Sequence, residues 1–290
     1  PLIMESSIAI EGGVLYVVAT PIGNLQDIGL RALAVLAGVD AILAEDTRHS
    51  ARLLKHHGIR NKLISLHEHN ERQRIPMLLG ELAAGRSLAL ISDAGTPLIS
   101  DPGFVLLREL DREGYRAVPV PGPSSPIAAL SVAGLPTDRF AFEGFLPAKP
   151  GARETRLRAL ADYPHTLVFL EASHRIQASL GAMATVFGAH RQAMVGRELT
   201  KLHEEVRRAN LAELAEYFAD PARCRGEFVV VVAGCEVGED LAGARRLLVP
   251  LLEELPAGRA AALAAKLTGV AKNRLYRLAL ELQGEDDPQP

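Results

Sequence analysis

The 290-residue sequence predicts an α/β fold: two α/β domains followed by a small helical module. Three observations carry this expectation. Short apolar runs alternate with helical patterns through the first half. A break at Gly134-Leu135-Pro136-Thr137-Asp138 is followed by a second such set. After Gly238 only helical periodicity remains. At roughly 100–200 residues per domain, the length suits two domains and a small extra piece.

Leu15–Ala19, Ala41–Ala44, Leu63–Leu66, Leu88–Ser92 and Ala117–Val120 read as strands. Asp27–Leu36, Ser50–His57, Asn70–Ala84, Pro102–Arg112 and Ser124–Ala133 read as helices between and after them. That alternation predicts a parallel five-stranded sheet covered on both faces. Continuous apolar runs such as Leu88-Ala89-Leu90-Ile91 suit strands buried on both sides. Asp101 before Pro102 has the pattern of an N-cap followed by Pro at the first helical position. In the second set, Ala141–Phe145, Thr166–Leu170, Ala193–Arg197 and Phe228–Ala233 read as strands. Arg153–Ala161, Arg175–Phe187 and Leu211–Phe218, the last capped by Asn210, read as helices. Ala242–Leu255, Gly258–Leu267 and Asn273–Leu282 form the helical tail. The expected division is a disordered lead-in over 1–13, domains over 14–136 and 137–237, and the tail over 238–285, with a frayed polar end.

Composition narrows the function. A formal net charge of −3 excludes a chain that coats polyanions along its whole surface, so any RNA binding needs a local basic face. Cys224 and Cys235 make no CxxC pair and suit buried thiols in a reducing cytosol. No run approaches the roughly 18–20 apolar residues of a membrane span, and Pro1–Gly13 has no secretory pattern, so a cytoplasmic location is expected. His67-x-His69 could place two ligands on one side of a strand, but HExxH is absent because position 71 is Glu. No metal is expected.

Ligands of open α/β sheets bind beyond the carboxyl ends of the strands. Here those loops are Thr20–Leu25, Glu45–His49, His67–Glu71, Ser92–Gly103 and Pro121–Pro126, rich in Gly, Pro and Asp. Neither GxGxxG nor GxxxxGK[ST] occurs, so no dinucleotide or P-loop site is read. Gly95 permits close backbone approach. Hydroxyls at Thr96, Ser124 and Ser125, and a helix N-terminus at the last two, suit the amino-acid-like end of a neutral or cationic ligand.

Long motifs then become specific. ATPIGNLQDI (Ala19–Ile28), AEDTR (Ala44–Arg48), SDAGTPLISDPG (Ser92–Gly103) and VPGPSS (Val120–Ser125) resemble the tetrapyrrole-methylase superfamily. Within it they are similar to the bacterial 16S ribosomal RNA cytidine-2′-O-methyltransferases. FEGFLP (Phe142–Pro147), FLEASHR (Phe169–Arg175), RELTKLHEE (Arg197–Glu205), RGEFVVVV (Arg225–Val232) and the tail string GVAKNRLYRLAL (Gly269–Leu280) agree. The resemblance implies a two-domain fold, S-adenosylmethionine (SAM) in the interdomain cleft, a homodimer, and 16S rRNA or the small ribosomal subunit as partner. It implies cofactor contacts at Pro21, Ala94, Gly95, Thr96, Ile99, Ser124, Ser125 and Glu171. Thr96 stands where the superfamily has an acidic residue, an exchange that a backbone contact survives. Glu171 stands where relatives that methylate tetrapyrroles often have Met, and backbone contact with adenine is expected.

Methyl transfer from a sulfonium needs alignment above all, with modest help from a base. Asp46, beside Arg48, is the first candidate base; the structural alternative is a salt bridge capping the following helix. Glu198 and Lys201 are candidates from the second domain. His67, with His69 and Asn70, suits RNA contact or packing at the rim. From Arg259 to Arg277 there are five basic residues and no acidic one. Lys266, Lys272, Arg274 and Arg277 are expected to contact phosphates from a helix-turn-helix-like pair, the alternative being a packing device. An alternative acceptor is a tetrapyrrole or another small molecule, against which the basic tail argues.

Overall fold

The structure is a computed structural model that describes residues 9–235 and 241–283. Most of the expected lead-in (1–8), residues 236–240 and the polar end (284–290) lie outside the described residues. The chain divides into two compact units. One holds the residues up to Ala159 with His165–Ala233; the other holds Leu160–Pro164 with the chain from Gly234 on.

The first unit contains two sheets. Strands β1 (Val14–Val18), β2 (Ala41–Ala44), β3 (Leu63–Ser65), β4 (Leu88–Ile91) and β5 (Arg116–Val120) form a sheet of order β3-β2-β4-β1-β5, and every pairing is parallel. Helices α1 (Leu30–Gly38), α2 (Thr47–His56), α3 (Glu71–Ala83), α4 (Phe104–Arg112) and α5 (Ser125–Ala133) follow the strands in turn. Side chains alternate across each strand, so the two faces bury different sets. Val14, Tyr16, Val18, Ile42 and Ile91 pack with α1 and α2 through Val35, Leu36, Leu53 and Leu54. Leu15, Leu43, Leu88 and Leu90 pack with α3 and α4 through Ile75, Leu78, Leu106 and Leu110. β2 and β4 are buried along their whole length, as two covered faces require.

The second sheet is mixed. Strands β6 (Phe140–Phe145), β7 (Thr166–Ala172), β8 (Gln192–Arg197), β9 (Glu205–Asn210) and β10 (Glu227–Val232) lie in the order β6-β7-β10-β8-β9. Only the β6–β7 pairing is parallel. Helices α6 (Pro150–Leu160), α7 (Ile176–Phe187) and α8 (Leu211–Tyr217) accompany it. The two sheets are joined through α5, whose Ala129, Leu130 and Ala133 pack against Val168, Met194, Val229 and Val231.

Three local expectations are corrected. β9, EVRRAN, escapes an apolar-run reading because it is an edge strand with exposed arginines. Arg207 instead covers the Tyr217 ring, and the Tyr217 hydroxyl donates to Glu205. Asp101 is not an N-cap: α4 starts at Phe104 behind Gly103, whose φ of 126° no side chain favours. The helix expected over 50–57 begins at Thr47, because Asp46 caps it.

In the second unit α9 (Leu241–Glu254), α10 (Ala257–Thr268) and α11 (Lys272–Gln283) surround a core of Ala244, Leu248, Ala260, Ala261, Ala264, Val270, Leu275 and Ala279. Alanines allow close helix approach. Gly269, in the left-handed region, ends α10 and turns the chain into α11.

Ala129 is fully buried between α5 and the second sheet. We expect Ala129→Leu to destabilise the protein by about 1–3 kcal/mol through overpacking. Ala37→Leu on the exposed face of α1 is the control, with an expected change within about 0.5 kcal/mol. Urea unfolding measures both.

Candidate active site

The site begins with backbone hydrogen bonds that tie loops together at the carboxyl edge of the first sheet. Thr20 N–H donates to the Gly95 carbonyl at 2.9 Å, and Gly95 N–H returns to the Thr20 carbonyl at 3.1 Å. Gly95 has φ of 84°, and a Cβ there would stand 3.2 Å from Ile22 Cγ2. Asp46 N–H donates to Asp93 Oδ1 at 3.0 Å, linking the β2 and β4 loops. Thr96 Oγ1 donates to the Pro123 carbonyl at 3.0 Å, linking the β4 and β5 loops. Leu98 and Ser100 both take φ of 71°, a strained conformation for residues with side chains and one that clusters at functional loops.

Two adjoining cavities open where this edge faces the second sheet. The larger, about 340 Å³, is lined from the first half by Ile22, Ala94 and Ser125. From the second half it is lined by Leu170–Ser173, Leu199 and Gly226–Val229. Its walls are mainly apolar, with hydroxyls at Ser125 and Ser173. The smaller, about 270 Å³, shares Ile22, Ala94 and Glu227 with it and adds Pro21, His49, Asp93 and Lys201. Thr96, Ile99 and Ser124 line a separate depression along α5 with Ile127. The expected residues therefore fall into three adjacent groups rather than one wall. Glu171 is 3% exposed, and its carboxylate accepts from Ser179 Oγ and Ala172 N–H and pairs with Arg175 at 3.3 Å. The carboxylate is therefore occupied by partners within its own half.

The second half meets the β1 loop through a tight turn at Glu198–Lys201. Glu198 and Thr200 have φ of 49° and 67°. Lys201 Nζ donates to Glu198 Oε1 and Glu227 Oε2, each at 2.9 Å, and Glu227 N–H donates to Glu198 Oε1 at 2.9 Å. Two glycines admit this network. A Cβ on Gly226 would lie 2.4 Å from Glu198 Cγ, and one on Gly23 would lie 2.4 Å from Lys201 Cγ. Asn24 N–H reaches Thr200 Oγ1 at 3.2 Å. Burial pushes the Glu198 carboxyl up, but Lys201 and the Glu227 N–H outweigh it and leave it below the ordinary range. Burial likewise lowers Lys201, and its two carboxylate partners outweigh that and raise it. The pair is ionised at neutral pH.

Asp46 is a helix cap. Its Oδ1 accepts from Arg48 and His49 N–H, and those bonds hold its carboxyl below the ordinary value. Arg48 lies 3.8 Å from it with a side chain 92% exposed. Two carboxyls of the site loops, Glu45 and Asp101, are shifted in the opposite direction. Burial, followed by the charges of Asp93, Asp101 and Asp46, pushes Glu45 up. Burial also raises Asp101, opposed by a hydrogen bond from Ser92 and assisted by Asp93.

His67 is half-buried; its N–H donates to Asn70 Oδ1, and its Nδ1 is buried without a hydrogen-bond partner. It lines neither cavity. In the second unit, Lys266, Lys272, Arg274 and Arg277 are all exposed on α10 and α11. Leu199, Gly226, Phe228 and Val229 were not expected from the sequence; they shape the larger cavity with apolar or main-chain surface that carries no chemical signature.

A two-sheet α/β protein with a ligand-sized cleft between its sheets is the class these features define. Residues 14–215 match the family of Tetrapyrrole (Corrin/Porphyrin) Methylases, and the chain belongs to that family. Residues 238–283 match the RsmI C-terminal HTH domain. Over 280 residues the chain is 55% identical to Ribosomal RNA small subunit methyltransferase I of Pseudomonas aeruginosa, covering 95% of this chain and 99% of that protein. It is 51% identical over 275 residues to the Escherichia coli O157:H7 protein of the same name, covering 94% and 96%. Among solved structures, cobalt precorrin-4 methyltransferase matches with a TM-score of 0.58 at 18% identity, over 77% of this chain and 95% of that one. Uroporphyrin-III C-methyl transferase from Thermus thermophilus, complexed with S-adenyl homocysteine, matches with 0.52 at 20%, over 76% and 96%. The chain is a SAM-dependent methyltransferase.

A carboxyl raised by folding opposes folding once it ionises. Its penalty is complete above the folded-state pKa and vanishes below the unfolded one. The Glu45→Gln/Asp101→Asn double variant should therefore melt above the parent at pH 7. That gain should disappear at pH 3, and calorimetry at the two pH values checks the sign.

Proposed function

We propose that this chain transfers the methyl group of SAM to the ribose 2′-hydroxyl of a cytidine in 16S rRNA of the small ribosomal subunit. The observation that carries the reading is the likeness to small subunit methyltransferases I, which runs through both the methylase portion and the tail. The functional division is taken as 14–136, 137–237 and 238–285.

The larger cavity fits an adenosyl group: apolar walls, main chain at Glu171 for the adenine edge, and hydroxyls at Ser125 and Ser173. Pro21, Ala94, Gly95 and Ser125 hold the rest of the cofactor in this reading, while Thr96, Ile99 and Ser124, which line the separate depression along α5, are reassigned from cofactor contacts to supports of the surrounding loops. SAM supplies an electrophilic methyl on a sulfonium. The negative field of Glu45, Asp93 and Asp101 favours that cation.

The acceptor enters from the smaller cavity, where the Lys201 ammonium meets a ribose or phosphate oxygen. Glu198 orients Lys201. Both stay charged, so they act by position and field, and the proton released from the 2′-hydroxyl passes to bulk water rather than to either side chain. Asp46, which caps α2 and has a lowered pKa, is reassigned from base to positioning residue at the start of that helix, and Arg48 beside it holds phosphate. His67 stands at the rim of the RNA path. Lys266, Lys272, Arg274 and Arg277 hold phosphates without reading sequence. The protein acts in the cytoplasm as a homodimer in this reading, a state that sedimentation measures. Among the described residues no helix is long and apolar enough to cross a membrane.

The solved tetrapyrrole methyltransferases of like fold favour a second reading, a small tetrapyrrole acceptor. Labelled SAM with undermethylated small subunits, in parallel with a uroporphyrinoid, separates the two. Label in the ribose fraction is expected; label in the porphyrinoid alone sinks the rRNA reading. Gly95→Val should abolish SAM binding in calorimetry, because a branched side chain at φ of 84° crowds Ile22 and disturbs the loop. Lys201→Met should lower kcat by about tenfold or more while leaving SAM affinity near the parent value. Equal kcat would remove Lys201 from the acceptor site.

A further inference from the structure

Between Thr47 and His67 the chain carries five Lys/Arg residues, Arg48, Arg52, Lys55, Arg60 and Lys62, and no Asp or Glu. This contrasts with a whole-chain charge of −3. α2 buries Ser50, Leu53 and Leu54, so its helical period turns Arg48, Arg52 and Lys55 outward as one stripe. Gly58, at φ of 68°, turns the chain, and Arg60 and Lys62 continue the exposed positive surface. Among the described residues, Arg52, Lys55, Arg60 and Lys62 have no carboxylate within 4.0 Å. The neighbouring α1 side adds exposed Arg31 and no acid from Ile28 to Val39. A concavity of about 490 Å³ lies along this surface, lined by Ala51, Lys55, Gly58, Arg60 and Asn61.

The stripe starts at the site. Asp46 caps the helix that carries it, and His49 in its first turn lines the smaller cavity. Ten residues of α2 extend about 15 Å, the scale of several phosphates along a strand. Other occupants fit less well. The outer face of α2 has no large apolar side chain to enter a bilayer, and on the neighbouring α1 Leu30 is a single exposed leucine beside Arg31. A symmetric contact with a second copy would set the positive stripe against itself.

We propose that the solvent face of α2 and the loop through Lys62 form a phosphate-binding rail for the RNA strand flanking the acceptor nucleotide. It rests on the RNA-acceptor reading above and adds a contact surface on the methylase unit itself, separate from the basic tail. Recognition is by charge and is indifferent to sequence.

The test uses the full chain with Arg52→Gln, Lys55→Gln and Arg60→Gln combined. Arg108→Gln/Arg112→Gln/Arg158→Gln, which also removes three charges, elsewhere on the surface, is the control for lost net charge. Filter binding of a 16S rRNA fragment is measured across salt concentrations. Methyl transfer to small subunits, SAM calorimetry and sedimentation are measured beside it. The rail predicts RNA affinity weaker by about tenfold or more at 0.15 M salt and a log–log salt slope shallower by about 2. KM for subunits should rise in step, with kcat and SAM affinity retained. Unchanged affinity and slope would overturn it, as would altered sedimentation with unchanged RNA affinity, which assigns the face to a second copy. If the parent binds RNA through this face yet methylates no RNA, the rail stands and the acceptor reading fails.

Discussion

Thr20 and Gly95 exchange two backbone hydrogen bonds across the loops that leave β1 and β4, the adjacent central strands of the first sheet. The other parts of the site hang from this exchange. It aims Ile22 and Ala94 into the space shared by both cavities. It also fixes the approach of the β1 loop to the Glu198–Lys201 turn, where Gly23 leaves room for the lysine stem. A bridge between loop backbones demands a left-handed residue at 95 and tolerates no branching beside it, so one glycine sets the spacing of a much larger surface. Packing of α5 on the second sheet then holds the opposite wall.

Charge is sorted by position around that scaffold. Carboxyls at Glu45, Asp93 and Asp101 gather behind the β2 and β4 ends, and burial with mutual repulsion raises two of them. That crowding disfavours the folded state and suits a site whose donor is a cation. The outer face of α2 presents the opposite sign, whereas the Lys201 charge is balanced by Glu198 and Glu227. In the proposed reading, donor and acceptor meet between the carboxyl cluster and the basic face of α2, near the Lys201–Glu198–Glu227 network.

Much of the first sheet was legible because β2 and β4 are short apolar runs that only double-sided burial explains. β9 was not, since an edge strand needs no apolar run and its arginines are held by Tyr217 and the Val132 carbonyl instead. Asp101-Pro102 imitates a helix start, and only the backbone at Gly103 shows that the helix begins later. The sequence at Asp46 suits both a base and a helix cap, and its hydrogen bonds describe the cap. The loops at the sheet edge announced themselves by composition, whereas Leu199, Gly226 and Val229 contribute shape alone. On α2, His49 and His56 stand among the basic residues in sequence, so the stripe is not evident from their order alone. Its meaning appears only once burial of Leu53 and Leu54 shows which way the arginines point.

A crystal complex with demethylated SAM tests the account most directly. It predicts adenine against Leu170–Ser173 and Phe228, with the sulfur directed past Ala94 toward the cavity that holds His49 and Lys201. Adenine seated instead along α5 beside Pro119 and Ile127, or a sulfur facing away from Lys201, would contradict it.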